Sequence, residues 1–271
     1  MVVRYAVNCS IMFTELPLLE RASAAKDAGF EAVEFWWPFS VAVPEDAQAD
    51  AFVRAVRDAG VQLIGLNFFA GDMGAGERGL VSWPARGMEF RDNVAAVIDI
   101  GQQLGCRAFN ALYGNRVPGI ASQEQDDVAV ENLALAGSAV AGLNGTVLVE
   151  PVSGSEGYPL RTADDVFAVI DRVRREKETE NLGFLCDLYH LAANGDDLDR
   201  VVARYGDRIA HVQIADAPGR HEPGTGNLDL ARLVGEIHAF GYSGWTALEY
   251  KPTGRTADSF RWLADPAPEL A

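Results

Sequence analysis

Five stretches of the chain share one pattern: a helix-like segment of small and apolar residues runs into a glycine and then into a short apolar run. These stretches are KDAGFEAVEF, RDAGVQLIGL, QQLGCRAFNA, AGLNGTVLVE and HAFGYSGWTALE. Glycine closes a helix easily because it adopts left-handed backbone angles without steric cost. Gly29, Gly60, Gly105 and Gly241 therefore predict helix ends, each followed by a strand.

Eight apolar runs of this kind recur, separated by segments with helical periodicity such as DDVFAVIDRVRR. They are RYAVNCS, AVEFWWP, QLIGLNFF, AFNALYG, TVLVE, LGFLCD, IAHVQIA and WTALEY. Alternating strands and helices predict a parallel sheet, and eight units in 271 residues favour a closed barrel over an open doubly wound sheet. No linker-like segment divides the chain, so we predict an α/β fold with a single (β/α)8 TIM-barrel domain over residues 1–271.

The net charge of the chain is -16, which repels phosphate backbones and anionic lipids. We therefore predict neither nucleic acid nor a membrane as a partner. Cys9, Cys106 and Cys186 are widely spaced and form no CxxC pair, which indicates reduced thiols. The opening MVVRYAVNCS does not resemble a signal peptide, and no apolar stretch reaches the roughly 18 residues of a spanning helix. We expect a cytoplasmic protein.

Polar residues end four consecutive apolar runs. Glu150 ends the fifth, Asp187 the sixth and Glu249 the eighth, while Gln213 falls late in the seventh. Active sites of such barrels lie at the carboxyl ends of the strands, so these four side chains are expected to converge. For any one of them a helix N-cap or a surface acid is the simpler interpretation, but four in register favour a shared site.

Three carboxylates in a small, partly dry space need a positive partner, because like charges at close range force protonation. A divalent cation is the simplest such partner. Oxygen donors without a Cys/His pattern suit Mg²⁺ or Mn²⁺ better than zinc. We therefore predict one bound Mg²⁺ or Mn²⁺. Cys186 precedes Asp187 in its strand and is expected to face the helices.

Several long stretches resemble the hydroxypyruvate isomerase family, within the larger group of xylose-isomerase-like barrels and ketose 3-epimerases. They are AGDMGAGERG (70–79), VEP (149–151), DLYH (187–190), HVQIADAPGRHEPGTG (211–226) and LEYKP (248–252). The resemblance implies that Glu150, Asp187, Gln213 and Glu249 are metal ligands. It also implies that Glu150 and Glu249 transfer protons.

The chain departs from the family pattern at two places near the expected substrate pocket. Leu66 and Phe69 stand where family members often carry His and Pro, and Val152 and Ser153 follow the VEP stretch where Asn is common. These departures bear on the choice of substrate more than on the metal or the fold.

The resemblance implies isomerisation of hydroxypyruvate to tartronate semialdehyde through an enediolate, with Glu150 and Glu249 as acid and base. Which glutamate takes the first proton stays open. The substrate carries a carboxylate, so an acidic protein needs local positive charge to admit it. Arg220 and His190 are the predicted sources, although a solvated surface Arg and a structural His are the simpler alternatives.

The GDMGAGERG stretch lacks the glycine spacing of a phosphate loop and is predicted to be a flexible lid over the barrel mouth. The alternative is a surface loop held by internal ion pairs. His211 is expected to be structural. The predicted substrate-binding residues, beyond Arg220 and His190, are Asn67, Asp72, Glu77, Arg78 and Lys251.

The aromatic residues Phe35, Trp36, Trp37, Phe68 and Phe69 either wall a pocket or pack in the core or against a second subunit, so a homo-oligomer stays open. Three other functions compete. The first is an isomerase or 3-epimerase of a larger sugar or 2-keto sugar acid such as 2-oxo-tetronate. The second is a phosphodiesterase acting on damaged DNA, which needs more metal-binding His residues and a basic groove. The third is a catalytically silent barrel that binds a partner.

Overall fold

The apolar runs form the eight strands of a closed parallel barrel in a computed structural model that describes residues 3–264. Each strand pairs with the next, and the last pairs with the first. The predicted TIM barrel is confirmed; residues 1–2 and 265–271 of the predicted domain lie outside the described residues. The strands are β1 (Tyr5–Asn8), β2 (Ala32–Phe35), β3 (Gln62–Asn67), β4 (Ala108–Asn110), β5 (Thr146–Val149), β6 (Leu182–Asp187), β7 (Ile209–Ile214) and β8 (Thr246–Leu248).

Helices lie between the strands and cover the outside of the barrel with their apolar faces. Short 3-10 helices occupy Leu18–Glu20, Pro84–Arg86, Gly206–Arg208 and Thr256–Leu263. The α-helices are α1 (Arg21–Asp27), α2 (Asp46–Ala59), α3 (Gly87–Leu104), α4 (Ser122–Ala141), α5 (Ala163–Lys177), α6 (Leu188–Asn194), α7 (Leu198–Tyr205) and α8 (Leu230–Ala239).

Local signals in the sequence fix where helices begin and end. A reciprocal pair of hydrogen bonds between Glu45 and Gln48 starts α2, and Gly60 ends it with a φ of 67°. Gly105 ends α3 in the same left-handed conformation, with a φ of 70°. The prediction of left-handed glycines is confirmed at all four positions, including Gly29 and Gly241.

The core contains all three cysteines, which are free and buried. Cys186 packs in the hydrophobic core, whereas its neighbour Asp187 ends β6 at the barrel mouth. This alternation follows from the two-residue period of a strand. Within residues 3–264 no helix combines the length and apolar character required to cross a membrane.

Candidate active site

The carboxyl ends of β5 to β8 bring the four predicted metal ligands to one part of the barrel mouth. Glu150 directly follows β5, Asp187 ends β6, Gln213 is the next-to-last residue of β7, and Glu249 directly follows β8. Asp187 and Gln213 are paired across neighbouring strands, and the Glu249 N–H donates to the Ile214 carbonyl over 3.0 Å. All four side chains are buried. The strand ends therefore bring these residues together as the sequence predicted.

Each of the two glutamates is held by one neutral hydrogen-bond donor. Asn110 Nδ2 donates to Glu150 Oε1 over 2.9 Å, and Trp36 Nε1 donates to Glu249 Oε1 over 2.6 Å. A neutral donor orients a carboxylate without cancelling its charge, and it occupies only one of the two oxygens. Each glutamate is thus oriented through Oε1; the Oε2 of Glu249 lies 3.3 Å from Arg220 Nη2.

Burial makes negative charge costly in this site. It raises the pKa of Glu150 to about 8; the charge of Asp187 adds to the rise, and the Asn110 hydrogen bond and Arg220 oppose it. Burial also raises the pKa of Glu249 well above its usual range, although the Arg220 guanidinium opposes the rise. At neutral pH the site therefore favours protonated glutamates unless further positive charge enters it.

Asp187 divides its two oxygens between the fold and the site. Oδ1 accepts the backbone N–H of His190 over 2.9 Å and caps α6. Oδ2 lies 3.8 Å from Arg220 Nη2 and 3.7 Å from His190 Nε2. The simpler interpretation of a strand-end acid, a helix N-cap, therefore holds for Asp187. Its other oxygen nevertheless faces the site.

Arg220 lies inside the site and not on the surface. Its Nη2 is 3.3 Å from Glu249 Oε2, and its Nε donates to the Glu249 main-chain carbonyl over 3.3 Å. The guanidinium lies over the Tyr189 ring, 5.3 Å from the ring centre. The Lys251 N–H donates to the Arg220 carbonyl over 2.7 Å, which ties the two loops together. Arg220 thus partly balances the charge of the buried carboxylates at the edge of the site.

Asp216, which the sequence analysis did not single out, holds the loop that carries Arg220. The Asp216 carbonyl accepts the Arg220 N–H over 3.0 Å. A signal was available, since Asp216 follows an apolar strand in HVQIADAPGR. Its buried carboxylate accepts four backbone N–H groups at 2.9 to 3.0 Å, those of Ala217, Gly224, Gly226 and Leu228.

His190 lies at the rim as predicted, but the prediction that it supplies positive charge is wrong. Burial lowers the pKa of His190 to about 4, although Asp187 opposes this shift. Its Nδ1 accepts the Ser153 N–H over 3.0 Å and lies 2.7 Å from Ser153 Oγ. The ring proton therefore belongs on Nε2. The imidazole is a neutral hydrogen-bonding group in the wall of the site.

A cavity of about 660 Å³ adjoins the two glutamates. Three cations, Arg78, Arg220 and Lys251, line it in a chain whose net charge is -16. This local excess of positive charge suits an anionic ligand. The predicted substrate-binding residues in its lining are Asn67, Arg78, His190, Arg220 and Lys251.

Asp72 and Glu77 hold the loop at 70–79 and do not line this cavity. Glu77 Oε2 accepts the Asp72 N–H over 2.5 Å and pairs with Arg86 Nη1 over 2.6 Å. Asp72 Oδ1 accepts the Ala75 N–H over 2.9 Å. The loop is therefore held by hydrogen bonds within it and by an ion pair to Arg86, which lies outside it. Of its three predicted substrate-binding residues only Arg78 lines the cavity, and its Nη1 donates to the Glu77 carbonyl over 2.7 Å.

The aromatic residues after β2 and β3 divide between cavity wall and core. Trp36 lines the cavity beside Glu249, whereas Phe35 and Phe68 are fully buried. A second cavity of about 510 Å³ is lined in part by Trp36, Trp37 and Phe69. Both predicted roles, wall and core, are therefore present.

The donor chemistry of the site fits a hard divalent cation. Gln213 Oε1 is buried, and no donor in the described part of the chain reaches it. With the carboxylates of Glu150, Asp187 and Glu249 it forms an all-oxygen donor set of the kind Mg²⁺ and Mn²⁺ prefer. As the side chains lie, no group of three or more His, Cys, Asp or Glu within residues 3–264 is arranged to hold an ion. Arg220 explains this arrangement, because its guanidinium pairs with the Asp187 and Glu249 oxygens that would otherwise face an ion.

Comparisons with known proteins agree with this architecture. Residues 22–265 match the sequence profile of a family described as xylose isomerase-like TIM barrel. A Streptomyces coelicolor protein named provisionally as a hydroxypyruvate isomerase is 49% identical over 96% of this chain and 95% of its own. The hydroxypyruvate isomerase of Escherichia coli is 33% identical over 96% and 98%. The 2-oxo-tetronate isomerase of Cupriavidus necator is 34% identical over 96% and 97%.

The fold and these relatives define an enzyme, an isomerase of the intramolecular oxidoreductase kind. The chain belongs to the xylose isomerase-like TIM barrel family. This result contradicts the alternative of a catalytically silent barrel.

Proposed function

We propose that the protein interconverts hydroxypyruvate and tartronate semialdehyde with one bound Mg²⁺ or Mn²⁺. The observation that carries this proposal is the pair of buried glutamates, Glu150 and Glu249, which border one cavity and are each oriented by a neutral donor. Moving a carbonyl to the neighbouring carbon requires a base at one carbon and an acid at the next. Relatives that carry the hydroxypyruvate isomerase name support this choice of substrate.

The two glutamates move the protons. One removes a proton from C3 of hydroxypyruvate as the C3–H bond breaks, which leaves an enediolate. A proton is then delivered to C2 from a glutamate, and the hydroxyl proton of C3 passes to the oxygen on C2, so that atoms and charge balance. Trp36 and Asn110 hold the two carboxylates in place throughout, because each donates a hydrogen bond to Oε1 of one glutamate.

Four residues would hold the cation through oxygen, namely Glu150, Asp187, Gln213 and Glu249. When bound, the ion supplies Lewis-acid stabilisation of the negative charge that develops on the substrate oxygens. The buried Gln213 Oε1, which no donor satisfies within the described residues, supports this assignment. The raised pKa of Glu150 and of Glu249 supports it as well, because a cation would restore their charged forms.

The cationic wall of the cavity would bind the substrate carboxylate. Arg220 presents a planar fork suited to a carboxylate, and Arg78 and Lys251 add positive charge from two other loops. Neutral His190 can donate from Nε2 to a substrate oxygen, since its Nδ1 is already occupied by Ser153. Binding the carboxylate at this wall would leave C2 and C3 toward the glutamates.

A larger 2-keto acid is the second candidate substrate. The cavity of about 660 Å³ leaves room beyond a three-carbon acid, and the Cupriavidus necator relative is named for 2-oxo-tetronate. The cationic wall suits either acid, whereas a neutral ketose would leave it without a partner. An isomerase or 3-epimerase of neutral sugars is therefore less favoured by the charge of the wall.

A substrate panel tests the proposal. The protein, saturated with Mn²⁺, is incubated separately with hydroxypyruvate, 2-oxo-tetronate and a neutral ketohexose, and kcat/KM is compared. We expect the highest value for hydroxypyruvate and at least a 100-fold lower value for the neutral sugar. A higher kcat/KM for 2-oxo-tetronate would make that acid the preferred substrate and leave the proposed mechanism unchanged. Preference for the neutral sugar would contradict both the substrate and the role of the cationic wall.

A further inference from the structure

Glu34 is a buried carboxylate that the proposed reaction does not use. It lies in the apolar run AVEF on β2 and is only 3% exposed. Its side chain reaches across the barrel interior to His211 and Gln213 on β7. A carboxylate at such a place needs strong partners, because burial of an unpaired charge is costly.

Three side chains satisfy Glu34. Its Oε1 accepts from Asn8 Nδ2 over 2.9 Å and from Gln213 Nε2 over 2.6 Å, and its Oε2 lies 2.7 Å from His211 Nε2. All four residues are buried. His211 and Gln213 lie on the same face of β7, because Val212 between them faces the other side. A single carboxylate can therefore contact both. His211 is thus a hydrogen-bonded residue of the barrel interior, consistent with the structural role that the sequence predicted for it.

The neighbouring strand leaves room for this carboxylate. The register between β2 and β3 shifts between Val33 and Glu34. Beside this shift lies Gly65, where an added Cβ would come within 3.1 Å of both Cβ and Oε2 of Glu34. A side chain at position 65 would therefore crowd Glu34, and the local backbone is shaped around its position.

The chemistry of Glu34 decides which way the amide of Gln213 faces. The two ends of a glutamine amide are nearly equal in size, so only hydrogen bonding distinguishes the oxygen from the nitrogen. A carboxylate oxygen accepts hydrogen bonds, and Glu34 Oε1 accepts from the Nε2 end over 2.6 Å. The Oε1 end is then turned away from Glu34, and it is the end that no donor reaches within residues 3–264.

We infer that Glu34 is a positioning residue that presents the Gln213 carbonyl oxygen, and not its nitrogen, to the cation of the site. The inference rests on the proposed function for its cation, while the orientation of Gln213 stands independently of it. Residues that orient metal ligands typically change metal affinity by about 10- to 100-fold when they are replaced. Glu34 never touches the substrate or the cation in this assignment.

The first experiment measures the orientation in metal-free protein. The side-chain amide signal of Gln213, assigned with Gln213→Met, is recorded by NMR in wild type, Glu34→Leu and Glu34→Gln. We expect slow solvent exchange in wild type, exchange at least about 10-fold faster in Glu34→Leu, which lacks an acceptor, and near-wild-type exchange in Glu34→Gln, which keeps one. A Gln213 amide that exchanges as fast as surface glutamines in wild type would overturn the inference, even if Glu34→Leu fails to fold.

The second experiment measures Mn²⁺ affinity by calorimetry in the same proteins and in the double variant Glu34→Leu/Gln213→Met. We expect about 10- to 100-fold weaker binding for Glu34→Leu, a change below about 3-fold for Glu34→Gln, and a double variant no weaker than Gln213→Met alone. Equal losses of Mn²⁺ affinity in Glu34→Leu and Glu34→Gln would assign the effect to the charge of Glu34. Additive losses in the double variant would show that Glu34 does not act through Gln213. Either result contradicts the inference. If wild type binds no Mn²⁺, the proposed metal dependence fails, and the amide exchange alone decides the role of Glu34.

Discussion

Trp36 and Glu249 are 213 positions apart in the chain, yet the Trp36 indole nitrogen donates to Glu249 Oε1 over 2.6 Å. The contact joins the end of β2 to the end of β8 across β1. It orients a glutamate that the proposed mechanism uses for proton transfer. The donor is neutral, so it fixes the carboxylate without adding a full positive charge beside it.

Trp36→Phe keeps an aromatic wall and removes this donor. We expect kcat to fall by about 10- to 100-fold, since a hydrogen bond to a charged group contributes about 1.5 to 3 kcal/mol. Trp37→Phe is the matched control, because Trp37 Nε1 donates to the Val41 carbonyl and not to the site. Steady-state kinetics of the two variants test the contact; equal effects would show that loss of the indole and not loss of the Glu249 contact is responsible.

Glu249→Gln and Glu150→Gln test the proton-transfer pair. Each keeps an oxygen donor and loses the base, so Mn²⁺ should still bind while kcat falls by about 10²- to 10⁴-fold. Glu124→Gln, on the exposed face of α4, serves as the control. In D₂O, wild-type turnover should incorporate solvent deuterium at the new C–H bond. Complete retention of substrate hydrogen would instead indicate a hydride shift and remove both glutamates from proton transfer.

Arg220→Lys tests the cationic wall. Lysine keeps the charge beside Glu249 and loses the planar fork, so we expect KM for an anionic substrate to rise by about 10-fold with Mn²⁺ affinity almost unchanged. Arg232→Lys, whose guanidinium pairs with acids on the outer surface, is the control. A variant with unchanged KM would show that Arg220 only balances the buried carboxylates.

The raised pKa of Glu150 predicts proton release when metal binds. At pH 7 the metal-free site holds protons that a cation displaces, so the heat of Mn²⁺ binding should depend on the ionisation enthalpy of the buffer. Calorimetry in two buffers gives the number of protons, which should fall in Glu150→Gln. An equal heat in both buffers would contradict a protonated site.

The same pKa predicts the pH dependence of metal-free stability. Between the ordinary pKa of 4.5 and the folded value of about 8, the folded state binds a proton that the unfolded chain has lost. The contribution of Glu150 to stability is therefore full below about pH 4.5 and is lost as the pH rises toward 8. Urea unfolding of wild type and Glu150→Gln should show a smaller decline over this window in the variant.

The barrel and the meeting of polar residues at four strand ends followed from the sequence because both depend on local patterns. Apolar runs of strand length alternate with helical periodicity, and the carboxyl ends of parallel strands share one edge of a barrel. Once Glu150 and Glu249 were recognised as strand ends, their meeting required no knowledge of distant contacts.

What the sequence did not predict depends on contacts across the barrel. Glu34 is a lone acid within an apolar run, the signal that identified Glu150, but its partner His211 lies 177 positions away. The neutral state of His190 follows from its burial, which a strand-end position does not reveal. Asp72 bonds within its own loop, and Glu77 pairs with Arg86, which lies outside the motif and could not be recognised as its partner from the sequence.

The central claim is that the buried oxygens at the strand ends hold a divalent cation that the isomerase requires. The most direct measurement is the rate of tartronate semialdehyde formation from hydroxypyruvate by EDTA-treated, dialysed protein during a titration with Mn²⁺. We predict no turnover without metal and a rate that rises to a plateau at one Mn²⁺ per chain. Full turnover in the metal-depleted protein, or none at any Mn²⁺ concentration, would contradict the account.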